Sequence, residues 1–249
     1  PEQPEVQQPF NFAFLVMPWQ AETVRKFVAA YEAAVPSWGW PTYVLGNHDQ
    51  NRLASRIGAE QARVAALFLL TVRGAPYIYQ GEELGLPNGE VAPEDYRDPQ
   101  GINLGISRDL CRTPFPWDSS PKAGFTTGTP WLPIASTAPV LNVETEDADP
   151  RSSLTLHRRL LALRREHAAL NAGSLALVDT PKDVAAFVRE ADGERFLTVL
   201  NFSAEAQIVA LPSLGRGVIE LSTALDREGP ADLAALELRS NEGLLIRLQ

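Results

Sequence analysis

The sequence predicts consecutive parallel β/α units followed by an antiparallel β-sandwich. Three observations carry that prediction. Between Phe10 and Glu83, apolar runs of strand character alternate with two helix-patterned stretches, and each run stops at polar residues. Half of the 20 prolines then crowd into residues 82–150, which have little periodicity. After Asn171-Ala172-Gly173 the helical pattern gives way to short runs separated by turn signals, the mark of an all-β domain.

Taken in order, Phe10-Asn11-Phe12-Ala13-Phe14-Leu15-Val16 is a compact aromatic and apolar run closed by Met17-Pro18-Trp19, and a buried strand is expected there. From Ala21 to Val35 the apolar Val24, Phe27, Val28, Tyr31 and Val35 recur at helical spacing, with Glu22, Arg25, Lys26 and Glu32 on the other side. Pro36 and Gly39 close that helix, and Thr42 to Leu45 reads as a second strand. A second helix is expected from about Ala59 to Val72. A third strand then begins near Tyr77 and ends in Gln80-Gly81-Glu82-Glu83.

Residues 82–150 issue directly from that strand's C-terminal end, and a long unstructured insertion inside a compact domain is uncommon unless it is functional, so they read as an active-site loop. From Ser152 to Ala169 an amphipathic helix is expected, with His157 and His167 as partly solvated surface residues. The first domain is set at residues 1–170 and the β-sandwich at 171–249. Strands are expected at Ser174–Val178, Val184–Arg189, Phe196–Leu200, Gln207–Leu211, Gly217–Leu221 and Leu244–Leu248. The second domain gathers no convergent titratable groups, so a packing role is expected for it before a carbohydrate-binding one.

Composition narrows the function classes. The 249 residues are 45% hydrophobic, enough for a substantial core, and the net charge of -9 disfavours nucleic acid and anionic membrane as partners while suiting a neutral ligand. A lone cysteine, Cys111, rules out an internal disulfide, and three histidines without a Cys/His cluster give no zinc spacing, so no metal or cofactor is expected. No apolar run approaches membrane-spanning length. Pro1-Glu2-Gln3-Pro4-Glu5 lacks the basic and apolar regions of a signal peptide and has no initiator methionine. A cytoplasmic location is expected, and the start reads like the inside of a longer protein.

The most informative stretch is Pro41-Thr42-Tyr43-Val44-Leu45-Gly46-Asn47-His48-Asp49, an apolar strand ending in an amide, an imidazole and a carboxylate. In parallel α/β folds the carboxyl ends of the strands are where substrates bind. A polar strand-to-loop turn, with Asn47 and Asp49 satisfying backbone groups, is the plainer alternative on this tripeptide alone.

Together with Pro76-Tyr77-Ile78-Tyr79-Gln80-Gly81-Glu82-Glu83-Leu84-Gly85, Arg108-Asp109, Arg112-Thr113-Pro114-Phe115-Pro116-Trp117-Asp118 and the closing small β domain, this stretch resembles the α-amylase superfamily of glycoside hydrolases. Within it, the chain is most similar to the α-glucosidase and oligo-1,6-glucosidase group. The resemblance implies a (β/α)8 TIM barrel followed by an antiparallel β-sandwich, with the three strands here as barrel strands six to eight. It implies retaining hydrolysis of terminal α-linked glucose from α-glucoside oligosaccharides, a chemistry run by two carboxyl groups around an oxocarbenium-like transition state.

Asp49 matches the family's third acid, a transition-state stabiliser holding the 2- and 3-hydroxyls of the sugar, with His48 donating beside it. Asn47 is expected to fix the loop. The resemblance puts Arg108 over the non-reducing-end glucose and Arg112 at the pocket wall, while pairing of both arginines with Asp109, Asp118 or Glu82 is the alternative. Gln80 and Glu82 are expected to organise loops, and neither Glu82 nor Glu83 matches the nucleophile or acid. Trp117 could stack on a sugar, although a buried loop anchor is the expectation.

The family's nucleophile and general acid belong to strands four and five, and neither motif occurs in this sequence. The chain alone is therefore expected to be inactive, and its partner to be the missing N-terminal barrel half or a second copy across an open sheet edge. Two other readings stay open: a non-catalytic amylase-like scaffold, and a trehalose synthase or glucosyltransferase of the same superfamily.

Overall fold

The computed structural model describes residues 8–36 and 38–249; the opening Pro1–Glu5 lies outside them. In chain order the elements are α1 (Ala13–Val16), α2 (Ala21–Ala34), β1 (Thr42–Val44), α3 (Leu53–Ile57), α4 (Ala59–Thr71), β2 (Ala75–Tyr77), α5 (Pro99–Leu104), α6 (Val143–Ala148), α7 (Ser153–Glu166) and α8 (Ala168–Asn171). Eight strands follow: β3 (Ser174–Val178), β4 (Val184–Ala191), β5 (Glu194–Asn201), β6 (Gln207–Val209), β7 (Arg216–Ser222), β8 (Gly229–Asp232), β9 (Leu236–Leu238) and β10 (Gly243–Leu248). The chain forms two compact units interleaved along the sequence. One takes residues through Val44, Arg63–Tyr77 and Arg158–Gln249; the other takes Leu45–Ala62 and Ile78–His157.

In the first unit β1 and β2 pair in parallel, Thr42 opposite Ala75 and Val44 opposite Tyr77. The run expected to be a strand at Phe10–Val16 is instead the short helix α1. The side chain of Asn11 accepts the Ala13 amide at 3.1 Å, and this local bond favours a turn into helix over an extended backbone. Phe14 and Leu15 still bury, while Val16 points outward. From α4, Phe68 meets the rings of Phe14, Tyr43 and Phe187 with centroids 5.5, 5.7 and 6.4 Å away. The third strand is shorter and earlier than expected, Ala75–Tyr77, and only half-buried.

The remainder of this unit is a six-stranded antiparallel sheet in the order β3-β4-β5-β10-β7-β8, with β6 and β9 as a separate two-stranded ribbon. Side chains alternate across the sheet. Val184, Ala186, Val188, Leu197, Val199, Leu244 and Ile246 form a core with Val209, Leu236 and Leu238 of the ribbon. Phe187, on the opposite face, packs on α4 through Phe68. Both faces are covered, which is why β4 reads as a continuous apolar run rather than an alternating one.

Next to Phe187, Arg189 is fully buried. It donates to the carbonyls of Thr71, Ser174 and Gly173 at 2.5, 3.0 and 3.0 Å. Arg164 donates to the carbonyls of Leu70 and Val72 at 2.9 and 3.2 Å. Two guanidinium groups thus close the carbonyl end of α4, where unsatisfied acceptors and the negative end of the helix dipole coincide.

In the second unit, residues 82–150 are less irregular than expected. Asp98 caps α5, accepting from the Gln100 amide with Pro99 in the first turn, and Asn142 caps α6 through the Thr145 amide. A small apolar cluster of Leu84, Leu86 and Leu154, with Phe115, Leu141 and Val143, anchors the segment. His157 is not a surface residue: it is 4% exposed, with Nδ1 2.9 Å from the Ser153 carbonyl. It sits between Leu156 and Leu160 on the buried stripe of α7, so its ring follows theirs inward. His167 is half-buried, with Nδ1 2.8 Å from Glu194. Among the described residues, no helix is long and apolar enough to cross a membrane.

Candidate active site

The chain leaving β1 runs through Leu45 and Gly46 into Asn47-His48-Asp49. The Asn47 side chain accepts the amides of Asp49 and Gln50 at 2.9 and 3.1 Å, a local turn that fixes the loop. Asn47 therefore does the loop-fixing work expected of it. Asp49 is left with its carboxylate free of its own backbone.

Two arginines converge on one oxygen of that carboxylate. Arg108 Nη1 and Arg112 Nη2 donate to Asp49 Oδ1 at 3.0 and 3.1 Å. His48 Nε2 lies 3.5 Å from the other oxygen, Oδ2. Arg112 also donates through Nε to the His48 carbonyl at 2.7 Å, which ties it to the loop backbone. The structure thus gathers all four residues singled out from the sequence, His48, Asp49, Arg108 and Arg112. The Asp49 side chain is 41% exposed and the His48 ring 66% exposed, so a ligand can reach both.

The sequence missed what holds Arg108. Asp98 is buried and takes Arg108 in a fork, Nε to Oδ2 at 2.9 Å and Nη2 to Oδ1 at 2.6 Å, with the Arg108 amide on Oδ2 as well. Such bidentate pairs fix orientation as well as contact. The hydrogen bonds from Arg108 hold the Asp98 carboxyl well below the usual carboxylate range. Asp109, also buried, accepts the amides of Arg97 and Asp98 at 2.6 and 2.8 Å. A relay therefore runs from Asp109 through Asp98 and Arg108 to Asp49. Its signal in the sequence was Asp98-Pro99, an N-cap followed by a helix-starting proline.

Pairing of the arginines with Asp109, Asp118 or Glu82 does not occur: Asp98 and Asp49 take that place. Asp118 instead accepts the Ser120 amide at 2.9 Å. Trp117 is not a buried anchor, since it is 54% exposed, with its ring against the edge of Phe115 at 4.9 Å. The cluster is backed by Cys111, whose buried thiol donates to the Arg108 carbonyl at 3.0 Å, and by the Tyr79 hydroxyl, which donates to the Cys111 carbonyl at 3.0 Å. Among the described residues, no group of three or more His, Cys, Asp and Glu is arranged to hold a metal ion.

A carboxylate held at one oxygen by two cations, with its other oxygen near an exposed imidazole, can accept hydrogen bonds from paired hydroxyls of a neutral ligand. Known proteins share both the sequence and the fold. Residues 2–173 match the family described as "Alpha amylase, catalytic domain". The probable oligo-1,6-glucosidase 2 of Bacillus subtilis is 34% identical over 83% of this chain and 42% of its own length. An alpha-glucosidase of Apis mellifera is 35% identical over 82% of this chain and 38% of its own length. Of solved structures, the alpha-glucosyl transfer enzyme XgtA superposes with a TM-score of 0.87 at 37% identity, covering 96% of this chain and 46% of that one. The trehalulose synthase MutB from Pseudomonas mesoacidophila MX-45 does so with 0.86 at 31%, covering 98% and 51%. The chain spans about two fifths of the length of the curated relatives named here. With a family match over residues 2–173 and relatives above 30% identity across four fifths of its length, the chain belongs to the alpha-amylase family, glycoside hydrolase family 13.

Proposed function

We propose that the chain supplies one half of the active site of a retaining α-glucosidase that removes terminal glucose from short α-glucosides. The observation that carries this reading is the Asp49 carboxylate, held by Arg108 and Arg112 on one oxygen and open on its other side. In this role Asp49 stabilises the transition state by taking the 2- and 3-hydroxyls of the sugar, bonds that strengthen as the oxocarbenium character develops. His48 donates to the same sugar, Arg108 closes the pocket over its non-reducing end, and Arg112 forms the wall.

On this reading β1 and β2 are barrel strands seven and eight, residues 1–170 belong to the barrel and residues 171–249 form the sandwich domain. The nucleophile and general acid come from polypeptide outside this sequence, and this chain is inactive without it. The names of the relatives support the substrate class, α-glucoside oligosaccharides; a cytoplasmic location is part of the same proposal. Phe10 and Phe12, each more than half exposed and stacked at 6.0 Å, offer an apolar surface for the missing half or for a second copy.

A second reading is favoured by the structural neighbours, one of which transfers glucosyl groups and another of which makes trehalulose. Products formed from maltose, isomaltose and sucrose by the complete reading frame separate the two. Glucose as the dominant product supports hydrolysis, a new disaccharide supports transfer or isomerisation, and no turnover of any of the three leaves a scaffold.

A further inference from the structure

Glu82 touches neither arginine of the site, yet its carboxyl group lies directly beneath the loop that carries it. Oε2 accepts the Tyr79 amide at 3.1 Å, while Oε1 is buried and has no hydrogen-bond partner. A Cβ placed on Gly46 would fall 2.1 Å from Oε1, so the carboxyl rests on the Gly46 backbone, immediately before Asn47-His48-Asp49. The charged and titratable neighbours come from two segments. From α3 and its start, Arg56 donates to the Leu45 carbonyl and the buried Arg52 donates to the Gln80 carbonyl. From the segment of Glu82 itself, Glu83 accepts the Gly81 amide at 2.7 Å, and the ring of Tyr79 lies 5.6 Å beneath the Arg52 guanidinium.

We propose that Glu82 is a positioning residue that works as the neutral acid: its protonated carboxyl fills the space under Gly46 and holds the Asp49 loop, and ionisation releases that hold. The inference rests on the glucosidase reading only for its catalytic consequence. An ionised carboxylate with a dry, unpartnered oxygen is expensive, whereas the neutral acid fits the same space at little cost. Burial pushes the Glu82 carboxyl up to about 8, assisted by Glu83 and opposed by the Tyr79 amide, Arg56 and Arg52. Gly46 has no side chain because the acid already occupies that volume.

Two measurements on E82Q and E82A test this. In stability against pH, wild type should lose ground to E82Q as pH rises from about 4.5 to about 8, because the unfolded chain releases its proton before the folded one. A difference that stays flat across that window overturns the inference. In the complete enzyme, E82Q should keep most of kcat near neutrality and move the alkaline limb of its pH profile up by about one pH unit or more, while E82A loses roughly tenfold in kcat. Coincident alkaline limbs in wild type and E82Q also overturn it. A widening stability difference with no turnover of α-glucosides supports the neutral acid and counts against the glucosidase reading alone.

Discussion

Replacing Arg189 with methionine tests whether the buried guanidinium holds the carbonyl end of α4 or merely survives there. The substitution keeps much of the apolar stem and removes the donors to the carbonyls of Thr71, Gly173 and Ser174. Each buried acceptor left without a donor costs about 1–3 kcal/mol, so the carbonyls of Thr71 and Gly173 together cost about 2–6 kcal/mol, and that of Ser174, at an exposed residue, adds less. The loss is offset because the charge is poorly solvated. Burial, with Arg164 nearby, pushes the Arg189 guanidinium down to about 9, more than three pH units below its ordinary value. At about 1.4 kcal/mol per pH unit, that fall corresponds to about 5 kcal/mol against the charged form, and methionine does not carry it. The two terms are of similar size. The carbonyls should prevail modestly, since Thr71 ends α4 and its carbonyl shares the negative end of that helix. A net loss of about 2 kcal/mol is expected, lowering the melting temperature by about 4–8 °C for a chain of this size. Thermal unfolding followed by far-ultraviolet circular dichroism reads this directly. A melting temperature equal to or above that of wild type would mean that the charge burial outweighs the hydrogen bonds, and the account of α4 given above would fail.

Asp49→Asn in the complete enzyme should lower kcat by about a hundredfold or more with little change in melting temperature, since the variant keeps its shape but loses the charge that binds the transition state; near-normal kcat removes Asp49 from the mechanism. Arg108→Lys should cost kcat/KM on maltose about tenfold or more, because a lysine cannot fork onto Asp98 and still reach Asp49; unchanged kinetics would leave Arg108 with a loop role alone. Asp98→Asn should be less stable than wild type by an amount that is constant above pH about 4 and shrinks as pH falls below it. The Asp98 carboxyl is held below its unfolded value, so its contribution is lost progressively as pH falls from the unfolded value toward the lowered one; a gap that widens in acid would reverse the sign of the argument. Gly173→Ala places a methyl 2.4 Å from the Ala169 carbonyl and 2.7 Å from that of Glu190, both backbone atoms that cannot swing away, and should lower the melting temperature by several degrees; an unchanged one would mean that the turn shifts freely.

The periodic and apolar parts of the chain were legible. α2, α4, α7 and six of the eight late strands follow their apolar spacing closely, because burial against one face decides them. Phe10–Val16 was misread because its composition suits a strand, whereas one amide side chain, Asn11, tips it into helix. α5 and α6 escaped notice because helices of six residues have no periodicity to read; only their caps announce them. β8 and β9 were missed for a related reason, since strands of four and three residues are paired by distant partners rather than by their own pattern. The site divides in the same way. Asp49, His48, Arg108 and Arg112 could be read from motifs, but Asp98 and the acid under Gly46 become visible only when residues far apart in sequence are brought together.

The place of β10 in the sheet has a consequence for synthesis. Gly243–Leu248 lies between β5 and β7 and pairs with both, so the central strand of the sheet is the last of its strands to be made. Until Leu248 has cleared the ribosome, β5 and β7 each present a bare edge with apolar side chains beside it, and the loop-closure entropy of spanning residues 194–248 is still to be met. Closure of this sheet therefore waits for β10, and a stop codon that removes it leaves two unpaired edges instead of trimming a border. Loss of β10 should send the polypeptide to aggregation or proteolysis, whereas loss of β3, which borders β4 alone, spares the centre.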